Sequence, residues 1–423
     1  MKTVYDLAME RIKLIFDEFN HIYISFSGGK DSGVMLNLAL KYLKDNNINR
    51  KITLMHLDYE AQYEMITEYV RKMEQEYADY LNVYHVCVPF KVHTCTSMFQ
   101  DYWRPWEEDK KDIWVRELPD NAMTAVDFDF YQENMWDYEF QEKLSTWIHE
   151  KEKATNTAVL VGIRTQESLH RWRAIHKERD TYYKDLKYSK LVSENVYNFY
   201  PIYDWKTEDI WIANAKFGFE YNRLYDLYYQ AGVPIDSMRV ASPFLSEGQE
   251  SLKLYKVIEP YTWGKLVSRV NGVNFTGLYG GTTALGWKKI TKPEHMTWKQ
   301  YMEFLLDTLP EETRNNYLSK LETSIKFWKE KGGVLSDEII QELDDLEIKY
   351  EFGNHGYKSD KKAVKLEYQD DIDIKDFKSI PTYKRMCICI LKNDHTCKYM
   401  GFSQTKTEMI KRKEAVEKYA NIL

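Results

Sequence analysis

Hydrophobic residues near the start of the chain repeat first at a helical period and then as a continuous run. Residues 4–19 place apolar side chains every three or four positions, which predicts an amphipathic helix. The segment 21–26, HIYISF, is almost entirely β-branched or aromatic and predicts a buried strand. Gly28 and Gly29 end this run, and helical spacing returns over residues 33–42. The chain therefore opens with a helix, a strand, a glycine turn and a second helix.

The same alternation continues further along the chain. Strands are predicted at 51–57, 82–88 and 158–163, with a helix at 61–80. Strands that alternate with helices indicate a parallel sheet covered on both faces. We therefore predict an α/β fold with a doubly wound, mostly parallel, Rossmann-like sheet. The aromatic segment at about 95–140 has the composition of an insertion or lid.

The second half of the chain has a different pattern. Residues 297–332 combine helical spacing with many charges, and residues 355–380 are polar and weakly periodic. The segment 386–391, MCICIL, is predicted as a strand, and residues 405–423 as a terminal helix. These signals predict a mainly helical C-terminal extension.

The sequence SGGKDS, between the first strand and the second helix, carries the strongest chemical signal. Backbone N–H groups at the start of a helix lack partners within the helix and carry partial positive charge, so they bind anions. Adjacent glycines let this backbone approach phosphate oxygens closely. The spacing is that of neither a Walker loop nor a dinucleotide fingerprint. The alternative is a glycine turn that binds nothing. We predict a phosphate site formed by Ser27, Gly28, Gly29, Lys30, Asp31 and Ser32.

A second group of polar residues follows the strand predicted at 158–163. Gly162 ends this strand, and Arg164, Glu167 and Arg171 come directly after it. Ligands of a doubly wound sheet lie outside the carboxyl ends of its strands, so we expect this loop to meet the glycine loop in one cleft. Each arginine could clamp a phosphate, and Glu167 could hold one of the arginines. The alternative is a surface helix in which Glu167 and Arg171 form an ion pair.

Three segments, SGGKDS, GIR..ES..R and YPIYDWKTEDIW, resemble in this order the phosphoadenosine phosphosulfate (PAPS) reductase family of the PP-loop superfamily. The resemblance covers about residues 1–230 and implies an adenine nucleotide alpha-hydrolase-like sheet. It also implies that the nucleotide contacts Asp58, after the second strand. We expect Lys30, Asp31 and Arg164 to be the catalytic residues, and the third segment to be structural.

Two later segments, RVASPFLSEG and KRMCICILKNDHTCKYMGF, resemble a subgroup of this family with an extra C-terminal domain. That subgroup includes the enterobacterial immunoglobulin-binding regulators, and the resemblance implies a ParB-like protein partner. We accordingly divide the chain into a PAPS reductase-like nucleotide-binding domain at 1–235, a family-specific segment with a helical appendage at 236–350, and a cysteine-containing hairpin and helix at 351–423.

Reductases of this family use a nucleophilic cysteine in a C-terminal Glu-Cys-Gly tail. This chain lacks that tail and has no cysteine between Cys95 and Cys387. We therefore expect an enzyme that binds ATP with Mg²⁺, adenylates an unknown acceptor and releases pyrophosphate. Two alternatives stay open. One is binding or reduction of PAPS, and the other is a non-catalytic, nucleotide-sensing regulator that acts with a ParB-like partner.

Four residues near the end of the chain predict a different kind of site. Cys387, Cys389, His395 and Cys397 would come together if a hairpin turned near Asn393. Three thiolates and one imidazole form a suitable tetrahedral set for zinc. The alternatives are a half-buried hairpin in which cysteine is a small apolar residue, and a redox pair that serves the nucleotide cleft.

Composition restricts the partners and the compartment. The formal net charge is −7, so a nucleic-acid partner is not favoured. The basic segment around Arg171, Arg173 and Arg179 suits a small, highly phosphorylated ligand as well as a nucleic acid. The chain has five cysteines, an odd number that predicts reduced thiols rather than a disulfide framework. With no signal-peptide pattern and no apolar run of membrane length, we expect a cytoplasmic protein.

Overall fold

A computed structural model describes most of the chain. It covers residues 2–167, 171–172, 175, 182–245, 248, 252–279, 290–353, 363–377 and 379–402. The chain divides into two compact units. The first comprises Met1–Val92, Trp103–Pro243 and Ser251–Val270, and the second comprises His93–Tyr102, Phe244–Glu250 and Asn271–Leu423. The three-part division at residues 235 and 350 stays a prediction.

The first unit is built on a seven-stranded sheet. The strands up to residue 199 are β1 His21–Ser25, β2 Ile52–Leu57, β3 Leu81–Val86, β4 Val92–Ser97, β5 Gln100–Trp103, β6 Ala122–Met123, β7 Thr157–Val161, β8 Ser189–Ser193 and β9 Val196–Phe199. The order in the sheet is β6-β3-β2-β1-β7-β9-β8. Strands β4 and β5 pair in a separate two-stranded sheet, most of which belongs to the second unit. Neighbouring strands of the large sheet are parallel except β8 and β9. The predicted α/β, mostly parallel, Rossmann-like fold is confirmed.

The central strands are buried on both faces, which explains their continuous apolar sequences. Ile24 of β1 lies in register with Leu54 of β2 and with Leu160 of β7, and all three side chains are fully buried. Because β1, β2 and β7 run in the same direction, their carboxyl ends lie at one edge of the sheet. The loops that follow these strands therefore leave the sheet side by side.

Helices connect and cover these strands. Those of the first unit, within the described ranges, are α1 Val4–Glu18, α2 Lys30–Asp45, α3 Glu64–Glu76, α4 Asp137–Lys151, α5 Thr207–Phe217, α6 Leu224–Gln230, α7 Tyr255–Ile258 and α8 Pro260–Arg269. Helix α1 begins with a capping box, in which the Thr3 hydroxyl accepts from the Asp6 amide and the Asp6 carboxylate accepts from the Thr3 amide. Helix α2 packs against β1 and β7, so its first turn lies at the edge where those strands end.

The second unit is mainly helical, as predicted. It contains α9 Val273–Tyr279, α10 Trp298–Asp307, α11 Glu311–Glu330, α12 Asp337–Asp345 and α13 Tyr383–Leu391, with β10 Gly333–Val334, β11 Tyr350–Gly353 and β12 Ala363–Leu366. The three strands form an antiparallel sheet in the order β10-β12-β11. One apolar cluster packs α10 against α13 through Met302 and Met386, and another joins Trp328 of α11 to Leu343 and Leu366. None of the helices described in either unit is long and apolar enough to cross a membrane.

The strand predicted at residues 386–391 is wrong, because this segment belongs to helix α13. Thr382 is the N-cap of the helix, and its hydroxyl accepts a hydrogen bond from the Arg385 amide. The alternation of Ile388 and Ile390 with cysteine indicated a period of two, but the cysteines are apolar as well, and residues 386–390 are all buried. We infer that packing against α10 stabilises the helical conformation of this segment. The terminal helix predicted at 405–423 lies outside the described residues.

Arg11 of α1 anchors this helix to the third sequence motif, and its pairing is testable. Its guanidinium donates to both carboxylate oxygens of Asp204, at 2.8 and 2.7 Å, and to the Pro201 carbonyl at 2.7 Å. Because the pair is largely buried, removing one partner leaves a poorly solvated charge. We expect Arg11→Met to lower the free energy of unfolding by about 1–3 kcal/mol in urea denaturation. Lys13→Met, which removes an exposed pair with Asp17, is the control and should change it by less than about 0.5 kcal/mol. Equal effects would contradict the anchoring role.

Candidate functional site

The loop after β1 turns back on itself before helix α2 begins. Gly28 has a φ of +71°, in the left-handed region that favours glycine. A Cβ atom at this position would also lie 2.9 Å from Ile66 Cγ2. The Ser27 and Ser32 hydroxyls lie 3.0 Å apart, and the Ser27 amide donates to Ser32 Oγ at 3.2 Å, which closes the loop. Asn222 supports the loop by donating to the Gly28 carbonyl at 3.1 Å.

Helix α2 follows directly, with Gly29 as its N-cap. The first amide groups of a helix have no partners inside it. The Lys30 amide donates to the Tyr225 hydroxyl at 2.9 Å, and Lys30 Nζ donates to the Met238 carbonyl at 2.9 Å. Lys30 Nζ also lies 3.3 Å from Asp31 Oδ2. The Tyr225 hydroxyl and the Met238 carbonyl, both uncharged, therefore accept from an amide and an ammonium group that are well suited to bind an anion.

The loop after β7 packs on the first turn of α2. A Cβ atom at Gly162 would lie 2.9 Å from the Asp31 carbonyl carbon and from the Ser32 amide nitrogen, so only glycine permits this approach. Two residues further on, the Arg164 guanidinium forms an ion pair with the Asp31 carboxylate. The Arg164 residue is only 2% exposed. The structure thus brings the two predicted loops together, as their positions at neighbouring strand ends indicated.

Neighbouring side chains fix Arg164 and the loop around it. Arg164 Nη1 donates to Gln166 Oε1 at 3.3 Å and to Thr207 Oγ1 at 3.4 Å, and the Thr207 amide donates to Gln166 Oε1 at 2.9 Å. Glu167 accepts from the Arg164 amide at 3.3 Å and forms an ion pair with Arg171. The ion pair between Glu167 and Arg171 agrees with both alternatives for this segment, a glutamate that holds a phosphate-binding arginine and a surface helix with an i,i+4 ion pair. It therefore does not decide between them.

These groups surround a cavity of about 190 Å³ in the first unit. Of the predicted site residues, Lys30, Arg164 and Glu167 line it. The others do not: Ser27, Gly28, Gly29, Asp31, Ser32, Gly162 and Arg171. Arg173 of the basic segment lies outside the described residues. The lining residues that sequence reasoning missed are Gln166, Thr207, Asp236 and Arg239. Among these four, only Thr207 has a local sequence signal, because threonine followed by two acidic residues is typical of a helix start, and α5 does begin there.

Asp58, which was predicted to contact the nucleotide, lies in a fully buried network after β2. Its carboxylate accepts from the Glu60 amide at 2.8 Å, lies 3.0 Å from His85 Nε2, and pairs with Arg116. Burial raises the pKa of Asp58, but Arg116 and His85 outweigh burial and hold that pKa well below its usual range. Asp58 does not line the cavity. Its contact with a nucleotide stays a prediction.

Comparison with known proteins assigns the chain to a family. The description "Phosphoadenosine phosphosulfate reductase domain" matches residues 21–231, and "Domain of unknown function (DUF3440)" matches residues 232–411. The uncharacterized protein YbdN of Escherichia coli (strain K12) is 34% identical over 416 residues, which cover 97% of this chain and 93% of YbdN. The chain belongs to the same family as YbdN, and its residues 21–231 form a phosphoadenosine phosphosulfate reductase domain. The resemblance of this PAPS reductase domain protein to the immunoglobulin-binding regulators stays a prediction.

Two solved structures align with part of this PAPS reductase domain protein. The PAPS reductase of Candida auris has a TM-score of 0.32 at 13% identity and covers 56% of this chain and 87% of its own. The FMN adenylyltransferase of Candida glabrata, in complex with ATP, has a TM-score of 0.31 at 15% identity and covers 52% and 58%. Scores at this level carry no weight in assigning an activity.

The five cysteines of this PAPS reductase domain protein are all buried. Cys387 and Cys389 lie on helix α13 and not on the predicted hairpin, so that hairpin was wrong. His395 Nε2 lies 3.0 Å from the Ser97 carbonyl oxygen. The predicted zinc ligands, which include Cys397, are all described, and no three of them bring donor atoms within 4.8 Å of one another. The hairpin that was expected to bring these four residues together as zinc ligands is therefore absent from the described residues.

Gly162 allows a direct test of the contact between the two loops. A methyl group there would overlap backbone atoms of Asp31 and Ser32. We expect Gly162→Ala to cost about 1–3 kcal/mol, seen as a fall of several degrees in the thermal unfolding midpoint. Gly264→Ala in α8 is the matched control, because no atom outside the helix backbone lies within 4 Å of the new methyl group. It should be neutral or stabilising. A neutral Gly162→Ala would mean that the loops are not in contact.

Proposed function

We propose that the loop between β1 and α2 binds the phosphates of an adenine nucleotide, with ATP as the substrate. The observation that supports this proposal best is the packing of Gly162 and Arg164 onto the first turn of α2. This packing places the buried Arg164 guanidinium beside the N-terminus of α2 and the Lys30 ammonium. The side chains of Arg164 and Lys30 line one cavity. Helix N-termini combined with cations are suited to phosphate oxygens.

The charges around the cavity favour a polyanion. Three cations, Lys30, Arg164 and Arg239, line it together with two carboxylates, Glu167 and Asp236. Lys30 and Arg239 donate to backbone carbonyls. A phosphate oxygen carries negative charge, so an ammonium or guanidinium group attracts it more strongly than it attracts an uncharged carbonyl oxygen. A phosphate can therefore displace both carbonyls with a net gain in free energy.

The size of the cavity suits part of a nucleotide. Pockets that enclose a whole small-molecule ligand measure roughly 300–1,000 Å³, whereas this cavity measures about 190 Å³. We assign the β- and γ-phosphates to it, which leaves the α-phosphorus at its mouth and the adenosine outside. This arrangement exposes the α-phosphorus to a second substrate.

The reaction that we assign to the site is adenylation. An oxygen atom of the unknown acceptor attacks the α-phosphorus of ATP, the bond from that phosphorus to its bridging oxygen breaks, and pyrophosphate leaves with the electron pair. Lys30 and Arg164 stabilise the charge that develops on the pyrophosphate, while Asp31 holds the Arg164 guanidinium in place. Magnesium enters as part of the substrate, MgATP.

Reduction of PAPS has less support, because the chain offers no thiolate to attack sulfur. All five cysteines are buried, and burial raises the pKa of Cys87 and of Cys387, the latter to about 12. Reactive cysteines are partly exposed and have a lowered pKa. Binding of PAPS without reduction, and nucleotide sensing together with a ParB-like partner, stay as the alternatives. A nucleic-acid partner is not favoured.

Lys30→Ala tests the assignment of the phosphate loop. A hydrogen bond from a charged group to phosphate contributes about 1.5–3 kcal/mol, so we expect MgATP binding to weaken roughly 10–100-fold. Pyrophosphate release, measured with an extract of small molecules that supplies the acceptor, should be lost. Lys44→Ala is the control, because this exposed lysine lies on the same helix. Thermal shifts with ATP, ADP, adenosine phosphosulfate and PAPS, each with and without Mg²⁺, measure binding.

The outcomes of this experiment separate the three functions. Normal pyrophosphate release from Lys30→Ala would remove the proposal. Tighter binding of PAPS than of ATP to the wild-type protein would favour the sulfonucleotide alternative. Binding of ATP that depends on Lys30 but is never followed by pyrophosphate release would favour the regulator.

The Tyr225 hydroxyl competes with a nucleotide for the first amide of α2. It accepts from the Lys30 amide at 2.9 Å, where our proposal places a phosphate oxygen. We expect Tyr225→Phe to strengthen MgATP binding a few-fold, because the free protein loses a hydrogen bond of about 0.5–1.5 kcal/mol that the bound state lacks. Tyr229→Phe, at an exposed position of the same helix, is the control. Unchanged affinity of Tyr225→Phe in isothermal titration calorimetry would place the phosphate elsewhere.

A further inference from the structure

Three buried residues outside the cavity have the composition of a metal site. His56 of β2 lies opposite His85 of β3 in the parallel register, and Asp58 follows β2. Their ring and carboxylate ligand atoms lie within 4.8 Å of one another, and none of the three residues is more than 3% exposed. Over the described part of the chain, no other three histidine, cysteine or acidic residues meet this spacing. The cluster is therefore a specific feature of the first unit.

The imidazole of His56 provides the atom that points to a ligand. Its Nδ1 lies 2.8 Å from the Phe26 carbonyl oxygen, which can only accept, so Nδ1 carries the proton. Nε2 therefore has a free lone pair. This nitrogen is buried and has no hydrogen-bond partner among the described residues. A buried acceptor without a partner is costly, so something that binds a lone pair is expected there.

His85 and Asp58 offer their ligand atoms to the same space. His85 Nε2 lies 3.0 Å from Asp58 Oδ2, close to the roughly 3.3 Å between two ligand atoms of a tetrahedral zinc ion. The other ring nitrogen of His85 lies 2.9 Å from Glu74 Oε1. Metal-bound histidines usually donate this second N–H to a carboxylate or a carbonyl. Both histidines have such a partner, His85 in Glu74 and His56 in the Phe26 carbonyl.

We propose that His56 Nε2, His85 Nε2 and Asp58 Oδ2 bind one divalent transition-metal ion, for which zinc is the best match. Two imidazoles, one carboxylate and a fourth position fit the ligand preference and coordination number of Zn²⁺. In the metal-free cluster a hydrogen bond joins His85 to Asp58, and the ion replaces the hydrogen of that bond. Because the cluster is deeply buried, we assign the ion a structural role at the ends of β2 and β3.

The ion would also support the phosphate loop indirectly. Phe26, whose carbonyl accepts from His56, directly precedes Ser27, and its amide donates to the Met55 carbonyl at 2.8 Å. A fixed His56 ring therefore fixes the point at which the loop leaves the sheet. The metal proposal itself does not rest on nucleotide binding, since none of the three ligands lines the cavity.

The test uses the full-length protein, stripped of metal with a chelator and then titrated with Zn²⁺ and separately with Co²⁺. We expect one tightly bound Zn²⁺ per chain, a higher thermal unfolding midpoint, and the visible absorption of tetrahedral Co²⁺ with nitrogen and oxygen ligands. X-ray absorption of the zinc-loaded protein should show histidine and oxygen neighbours without sulfur. Sulfur neighbours would move the ion to the cysteines and overturn the proposal, as would failure to bind either ion.

Variants assign the site to these residues. His56→Gln and His85→Gln each remove one ligand and should weaken Zn²⁺ binding by about 100-fold or more, while Glu74→Gln acts through His85 and should weaken it by about 10–100-fold. His21→Gln is the matched control, a buried histidine of β1 whose ring nitrogens contact two threonine hydroxyls. It should keep the full zinc content. Unchanged Zn²⁺ affinity in folded His56→Gln overturns the proposal, and if this variant does not fold, the wild-type spectra decide.

Discussion

The ion pair between Asp31 and Arg164 is the interaction on which the candidate site depends. An acidic residue in the first turn of a helix is stabilised by the helix dipole, yet at this position it would repel the anions that the same helix start attracts. Arg164 removes that conflict, because it neutralises the carboxylate and joins the loop after β7 to the helix after β1. The pair is buried, so each partner needs the other. The pair also requires glycine at position 162, since a side chain there would collide with the Asp31 backbone.

The boundary between the two matched family regions does not coincide with the boundary of the site. The domain of unknown function is matched from residue 232 onward. Asp236 and Arg239, which line the cavity, and Met238, which accepts from Lys30, all lie beyond that residue. They nevertheless belong to the first compact unit, together with the phosphate loop. The start of the second matched region therefore completes the pocket of the first, and the chemistry of this protein has to be derived from both.

Local signals explain what the sequence could predict. The strand, glycine turn and helix at residues 21–45 are each encoded by their own residues, and the meeting of Gly162 with Asp31 followed from the common direction of the strands. The contacts of Lys30 with Tyr225 and Met238 join residues 195 and 208 positions apart, in segments without a pattern of their own. Helix α13 was mispredicted because its isoleucines and cysteines alternate as in a strand, although all of them are apolar and buried. The pairing of His56 with His85 requires the strand order, which no local pattern provides.

Hydrogen–deuterium exchange of the amides at residues 28–33 tests the phosphate site most directly. The amides of residues 30–32 have no acceptor inside the helix, so a gain in their protection when a nucleotide is added reports an acceptor on that nucleotide. With saturating MgATP, we predict that exchange slows by about tenfold or more in peptides that contain residues 28–33 and 162–167. Exchange in helix α13 should not change. Protection confined to other segments, while calorimetry confirms that the nucleotide is bound, would contradict a phosphate site at this loop.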